Sequence, residues 1–151
     1  MTDKDSLWPE FNLKKEITPK EILEKQGDYL REFTDQYLKL DVIRHKNSAP
    51  LYEPILENEF SYSCYLRSVT LRDYKYKLMD FGHNITFYPL EIKLSAELNK
   101  DMSHCQTKYP YNKGERMWKV SSKDQFEEFL AELFKGKSFI QIISSLYSLS
   151  S

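Results

Sequence analysis

The first strong signal in the chain is a helical one that starts near residue 18. Apolar residues recur there at intervals of three and four, the spacing of one helix face; they are Ile22, Leu23, Leu30, Phe33, Tyr37 and Leu40. Thr18 and Glu21 form a capping-box pair around Pro19, and proline suits the first helical position. The pattern predicts a helix that begins after Thr18 and turns this apolar face to a core.

The middle of the chain alternates between apolar and polar residues, as half-buried β-strands do. The predicted strands cover residues 40–45, 59–69, 74–81, 85–94 and 116–120. Short turns at 71–73 and 82–84 join the three central strands, which predicts an antiparallel meander. The prolines in 47–54 predict a loop there, and 97–114 is polar enough to be a second, longer loop. Asp80 falls on the apolar side of its strand, where a carboxylate is paired, at the strand end or functional, and of these we favour the strand end.

The last third of the chain returns to helical periodicity. Ser122 and Gln125 form a second capping pair, Gly136 is typical of a helix end, and Ser138 can cap a final helix. Two helices this apolar need a surface to cover, and the apolar face of the sheet offers one. We therefore expect an α+β fold: an antiparallel sheet of four to five strands, with an N-terminal helix and two C-terminal helices packed on one face.

The length of 151 residues indicates one ordinary domain, which we place at 17–151, after a polar arm at 1–16. Leu7, Trp8, Phe11 and Leu13 are apolar residues of this arm. We consider two interpretations of it: the arm docks its aromatic rings on the core, or it is mobile.

The amino-acid composition argues against several classes of function. The net charge of −1 argues against binding nucleic acid or anionic lipid through the overall field, and four glycines leave little room for phosphate-binding loops. The two cysteines cannot form a disulfide-dense scaffold, and the first six residues lack the apolar segment of a signal peptide. No stretch is apolar enough for a transmembrane helix. We expect a cytoplasmic protein with no membrane association and no cofactor.

The outward face of the predicted sheet is basic. Strand alternation places on it Tyr65, Arg67, Lys75, Lys77, Lys93 and Lys119, with Glu91 as the main acid. Such a face can bind RNA or another anionic partner, because phosphate contacts come largely from Arg and Lys. The plainer interpretation is a solvated face, since lysine on exposed strands commonly keeps sheets from pairing with one another.

The histidines and cysteines give no recognisable signature. His104 and Cys105 are adjacent in the 97–114 loop, but a structural zinc site wants a second close pair of ligands, so we expect no metal. Catalysis by Cys105 with a histidine stays open. The simpler expectations are that Cys64 is a small buried apolar residue and Cys105 a partly exposed loop thiol. Helix carboxylates at 127, 128 and 132 are predicted to face solvent.

The sequence has clear patterns for helices and strands but no recognisable catalytic, metal or nucleotide motif. This favours a non-catalytic binding protein that acts through a protein partner, of the inhibitor, immunity, antitoxin or accessory kind. Abundant tyrosine supports this, and so does a loop flanked by Tyr109 and Tyr111, because interfaces are enriched in tyrosine. A homodimer is a further possibility, through the apolar last helix or a sheet edge. The alternative is a module that binds nucleic acid or nucleotides through the basic face. A small enzyme that uses His104 or Cys105 is the third hypothesis.

Overall fold

A computed structural model describes residues 5–45 and 58–151; the predicted loop at 47–54 and the first four arm residues lie outside them. The helices are α1 (Pro19–Phe33), α2 (Ala96–Asp101), α3 (Lys123–Phe134) and α4 (Lys137–Ser150), with a 3-10 turn at Ser103–Cys105. The strands are β1 (Leu38–His45), β2 (Phe60–Ser68), β3 (Lys75–His83), β4 (Leu90–Leu94), β5 (Tyr111–Asn112) and β6 (Met117–Val120). The predicted α+β class, with one N-terminal and two C-terminal helices on an antiparallel sheet, is confirmed.

Helix α1 begins as its sequence predicts and ends earlier. Thr18 Oγ1 accepts from the Glu21 amide at 3.1 Å, and the Glu21 carboxylate accepts from the Thr18 amide at 3.4 Å. The helix ends at Phe33 because Asp35 and Gln36 take positive φ angles of 51° and 70°. Tyr37 and Leu40 therefore lie outside the helix, and Phe33 is 82% exposed. Their predicted place on a buried helical face is wrong.

The six strands form one antiparallel sheet in the order β1-β2-β3-β4-β6-β5. The predicted meander is confirmed by the pairings of β2 with β3 and of β3 with β4. Strand β4 starts only at Leu90, because the preceding Pro89 has no amide to donate to a neighbouring strand. The sheet has six strands, whereas four to five were predicted. The additional strand is the short β5, which lies inside the segment expected to be a loop.

Most of the segment at 97–114 is ordered secondary structure, so its prediction as one long loop is wrong. The side chain of Asn99 explains how a polar segment is held on the core. Its Oδ1 accepts from Trp118 Nε1 at 2.8 Å, and its Nδ2 donates to the Tyr111 hydroxyl at 2.9 Å. Trp118 is fully buried, so this amide satisfies a polar group that would otherwise be costly to bury.

A bulge in β3 changes which residues face the core. Cys64 pairs with Met79 and Tyr65 with Lys77, so Leu78 is one extra residue in β3. Beyond the bulge the alternation is reversed, and Asp80 pairs with Ser63 on one side and Lys93 on the other. Asp80 therefore lies on the outer face of the sheet, and its prediction on the apolar side is wrong.

The core lies between the other sheet face and the helices. Its largest fully buried side chains include Phe81 and Trp118 from the sheet and Phe126 and Phe129 from α3. At Gly27, α1 approaches β1 so closely that an added Cβ would stand 3.2 Å from the Cβ of Leu40. None of the helices in the described part of the chain combines the length and the apolar character that a bilayer span requires.

Helix α3 is capped by Ser122, whose hydroxyl accepts from the Gln125 amide at 3.2 Å. Helix α4 begins at Lys137, one residue before its predicted cap at Ser138. The cap comes instead from Asp101 at the end of α2: one carboxylate oxygen accepts from the Ser138 and Phe139 amides at 2.7 and 3.3 Å, and the other from the Ser138 hydroxyl at 2.9 Å. No local pattern around Ser138 predicts this cap, because Asp101 lies 37 residues away in the sequence.

Candidate functional site

Four of the predicted binding residues lie together on the outer face of the sheet. Tyr65 is directly opposite Lys77, and Arg67 is directly opposite Lys75, so these pairs share one face of β2 and β3. Lys93 on β4 and Lys119 on β6 continue the face, opposite Asp80 and Glu91 respectively. The strand arrangement thus brings the predicted basic residues of the sheet to one side.

Several of these cations already have partners. Arg67 forms an ion pair with Asp41 at 3.3 Å and donates to the Arg72 carbonyl at 3.0 Å. The Lys75 Nζ lies 4.6 Å from the centre of the Tyr65 ring. Asp41 and Asp80 also belong to this face, which is therefore less basic than the sequence indicated.

Asp80 is the centre of a polar network that crosses β1, β2 and β3. The Ser63 hydroxyl donates to its Oδ1, and Lys77 Nζ lies 2.8 Å from its Oδ2. His45 Nε2 lies 2.6 Å from the Ser63 hydroxyl oxygen. Because that hydroxyl gives its one proton to Asp80, the histidine is the donor to the serine. This arrangement does not activate Ser63, since an activating histidine must accept the serine proton.

The remaining predicted residues lie apart from that network. Lys119 and Tyr111 line an open groove of about 610 Å³ beside β5, together with Glu91, Lys113 and Glu115, so its charges are mixed. Tyr111 is a packing residue, with its ring centre 4.4 Å from that of Trp118. Tyr109 is buried against Phe129, with ring centres 5.5 Å apart. Its expected position in an exposed loop is wrong.

The 3-10 turn brings His104 and Cys105 to α3. One ligand atom from each of His104, Cys105 and Glu132 lies within 4.8 Å of the other two. Cys105 is only 3% exposed, so its prediction as a partly exposed thiol is wrong. Glu132 lies 3.6 Å from His104 Nε2, so it does not simply face solvent as predicted. Only the fold reveals this contact, because nothing in the local sequence around Glu132 distinguishes it from the other helix carboxylates.

Both thiols are less acidic than usual. Burial raises the pKa of Cys64 to about 12, and the charge of Asp41 adds to the rise. Burial also raises the pKa of Cys105, with a further contribution from Glu132 and an opposing one from Lys108. A nucleophilic cysteine needs a lowered pKa, so neither thiol has the environment of an activated nucleophile.

The described part of the N-terminal arm, residues 5–16, is exposed along its whole length. The exposed fractions are 99% for Leu7, 76% for Trp8, 59% for Phe11 and 84% for Leu13. Trp8 and Phe11 contact each other, with ring centres 6.2 Å apart, and neither is buried in the core. The interpretation in which the aromatic rings dock on the core is therefore wrong. Sequence alone could identify the apolar residues, but not that they stay outside.

A groove lies where the arm joins the domain. It has a volume of about 570 Å³ and is lined by Glu16, Ile17, Ile85, Thr86, Phe87, Tyr88 and Lys123. Ile17 and Ile85 are both largely exposed, so the groove adds two apolar side chains beside the end of the arm. We use the name arm surface for Leu7, Trp8, Phe11, Leu13, Ile17 and Ile85. Exposed apolar surfaces mark sites of interaction more often than exposed polar surfaces do.

Comparisons of the chain with protein-family models, with curated proteins and with solved structures find no match.

Proposed function

We propose that this chain is a non-catalytic binding protein that acts through a protein partner, as an inhibitor, immunity, antitoxin or accessory protein, and that the arm surface binds that partner. The observation that carries the proposal is the exposure of Leu7, Trp8, Phe11 and Leu13 in an arm outside the core. Fully burying one such side chain contributes about 1.5–3 kcal/mol. Four of them can offset part of the free-energy cost of association and of ordering the arm.

The polar chemistry of the domain supports binding rather than catalysis. Ser63 directs its proton to a carboxylate that Lys77 already neutralises, and both cysteines have raised pKa values. Both cysteines are also free thiols, which supports the proposed cytoplasmic location, where thiols stay reduced.

The experiment is site-specific photo-crosslinking in cells of the native host. A benzophenone amino acid replaces Phe11 in one variant and Phe33 in another. Phe33 is the matched control, because it is a phenylalanine on α1 that is even more exposed than Phe11, at 82% against 59%, and lies outside the arm surface. We expect a discrete adduct from position 11 that Leu13→Ala weakens, and no such adduct from position 33.

Three outcomes separate the alternatives. An adduct of twice the chain mass identifies a second copy of this chain as the partner, which is the homodimer. Identical adduct patterns from both positions indicate non-specific apolar contact and contradict the proposal. Absence of any adduct from position 11, with the protein expressed and folded, contradicts it as well.

The alternative function, nucleic-acid binding through the outer face of the sheet, has weaker support because Arg67 and Lys77 are held in ion pairs. It predicts that Lys93→Glu with Lys119→Glu lowers RNA affinity and flattens its salt dependence. An unchanged salt slope in a filter-binding titration would eliminate this alternative.

A further inference from the structure

Three potential metal ligands from distant parts of the sequence meet at the 3-10 turn. His104 and Cys105 come from the turn itself, and Glu132 comes from the last turns of α3. Backbone hydrogen bonds shape the turn: the Cys105 amide donates to the Met102 carbonyl at 2.9 Å, and the Cys105 carbonyl accepts from the Tyr109 amide at 3.0 Å. The buried Tyr109 ring then packs on α3 and holds the turn against it.

We propose that His104, Cys105 and Glu132 bind a Zn²⁺ ion. An imidazole nitrogen, a thiolate sulfur and a carboxylate oxygen are the three ligand types that this ion takes in proteins. With zinc–ligand distances of about 2.0–2.3 Å, tetrahedral geometry places ligand atoms about 3.3–3.7 Å apart. His104 Nε2 and Glu132 Oε2 are 3.6 Å apart, and the Cys105 sulfur lies within 4.8 Å of one ligand atom of each residue, so small side-chain rotations complete the arrangement.

The environment of the three ligands is mixed. Cys105 is buried, whereas the His104 side chain is 63% exposed, so the ion would be reached from the solvent side and keep a water molecule as fourth ligand. Lys135 Nζ lies 3.8 Å from Glu132 Oε1, the oxygen that does not face His104. The positive charges of Lys135 and Lys108 oppose a cation at this place, and the thiolate and carboxylate must offset them.

Binding exchanges a proton for the ion. The Cys105 thiol loses its proton to solvent as the sulfur–zinc bond forms, and the ion replaces the contact between His104 and Glu132. The ion would lie between the turn and α3, at a place separate from the arm surface.

The experiment uses Co²⁺ as a spectroscopic stand-in for Zn²⁺ with the full chain under reducing conditions. We expect one ion per chain, visible d–d bands of tetrahedral cobalt and a near-ultraviolet band from thiolate-to-cobalt charge transfer, all displaced by Zn²⁺. The variants are His104→Gln and Glu132→Gln, which change largely exposed or half-buried side chains and leave the buried sulfur in place. Glu128→Gln, on the same helix, is the matched control.

We expect His104→Gln and Glu132→Gln each to weaken Zn²⁺ binding at least about 100-fold in a competition assay with a fluorescent chelator, since loss of a direct ligand costs at least as much as loss of a residue that supports one. Glu128→Gln should bind as the unmodified chain does. At a free Zn²⁺ concentration about 100 times Kd, the melting temperature should rise by about 5–10 °C in the unmodified chain and the control.

Two results would overturn the proposal. The first is an absence of the charge-transfer band at saturating Co²⁺ in the folded, reduced chain. The second is zinc affinity that is the same in His104→Gln, Glu132→Gln and the control, because such an ion would be bound elsewhere on the surface.

Discussion

The cap that Asp101 provides for α4 gives the sharpest test of the fold. Asp101→Ala removes the carboxylate that accepts from the Ser138 and Phe139 amides and from the Ser138 hydroxyl. Loss of a helix cap costs about 1 kcal/mol, and loss of a negative charge at a helix N-terminus costs about 0.5 kcal/mol. The hydroxyl contact, which joins two elements, adds about 1 kcal/mol. We expect a destabilisation of about 2.5 kcal/mol.

The assay is urea unfolding followed by circular dichroism. Asp101→Ala should lower the midpoint without changing the slope, and the melting temperature should fall by about 5–10 °C. Lys100→Ala, one residue earlier in α2, is the control and should change the free energy of unfolding by about 0.5 kcal/mol or less. A loss in Asp101→Ala no larger than in this control would refute the assignment of the cap.

A substitution at Gly136 tests whether the Asp101 carboxylate lies where the structure places it. A Cβ added there would stand 2.5 Å from the Asp101 Oδ2, so Gly136→Ala forces the carboxylate away from the amides it caps. The destabilisation by Gly136→Ala should therefore be smaller in the Asp101→Ala background, by about 1 kcal/mol or more. Strict additivity in the double-mutant cycle would show that the two residues do not interact as the structure places them.

Two further outcomes follow from buried polar groups. Asp80→Ala should lower the free energy of unfolding by about 2–4 kcal/mol in urea, because Ser63 and Lys77 lose their shared acceptor. Glu91→Ala on the same sheet face is the control, and an equally large decrease there would contradict the network. Burial raises the pKa of Cys64 from 9.0 to about 12 and that of Tyr88 from 10.0 to about 12. A folded-state pKa above the unfolded one stabilises the fold at lower pH, so stability should fall between about pH 9 and about pH 12. Cys64→Ala should show a smaller fall, measured by urea unfolding across that range, and an equal fall would remove Cys64 as a cause.

The sequence predicted those features that depend on neighbouring residues. The capping residues Thr18 and Ser122 act within one helical turn, and the meander follows from an alternation that each strand carries by itself. The bulge at Leu78 is different, because an extra residue leaves the apolar pattern ambiguous and reverses the side on which Asp80 lies.

Contacts between distant segments explain the other errors. Asn99 orders a polar segment only because Trp118 and Tyr111 are brought beside it, and Glu132 meets His104 only after α3 packs on the 3-10 turn. In the arm, the sequence identified the apolar residues, but it could not distinguish docking on the core from exposure.

The central claim is that the arm surface binds a protein partner, and affinity measured with the partner crosslinked from position 11 tests it most directly. Isothermal titration should show at least about 100-fold weaker binding for Trp8→Ala combined with Phe11→Ala, because two buried aromatic side chains are lost. The control Phe33→Ala should bind as the unmodified chain does. Equal affinities for the unmodified chain and the arm variant would contradict the account.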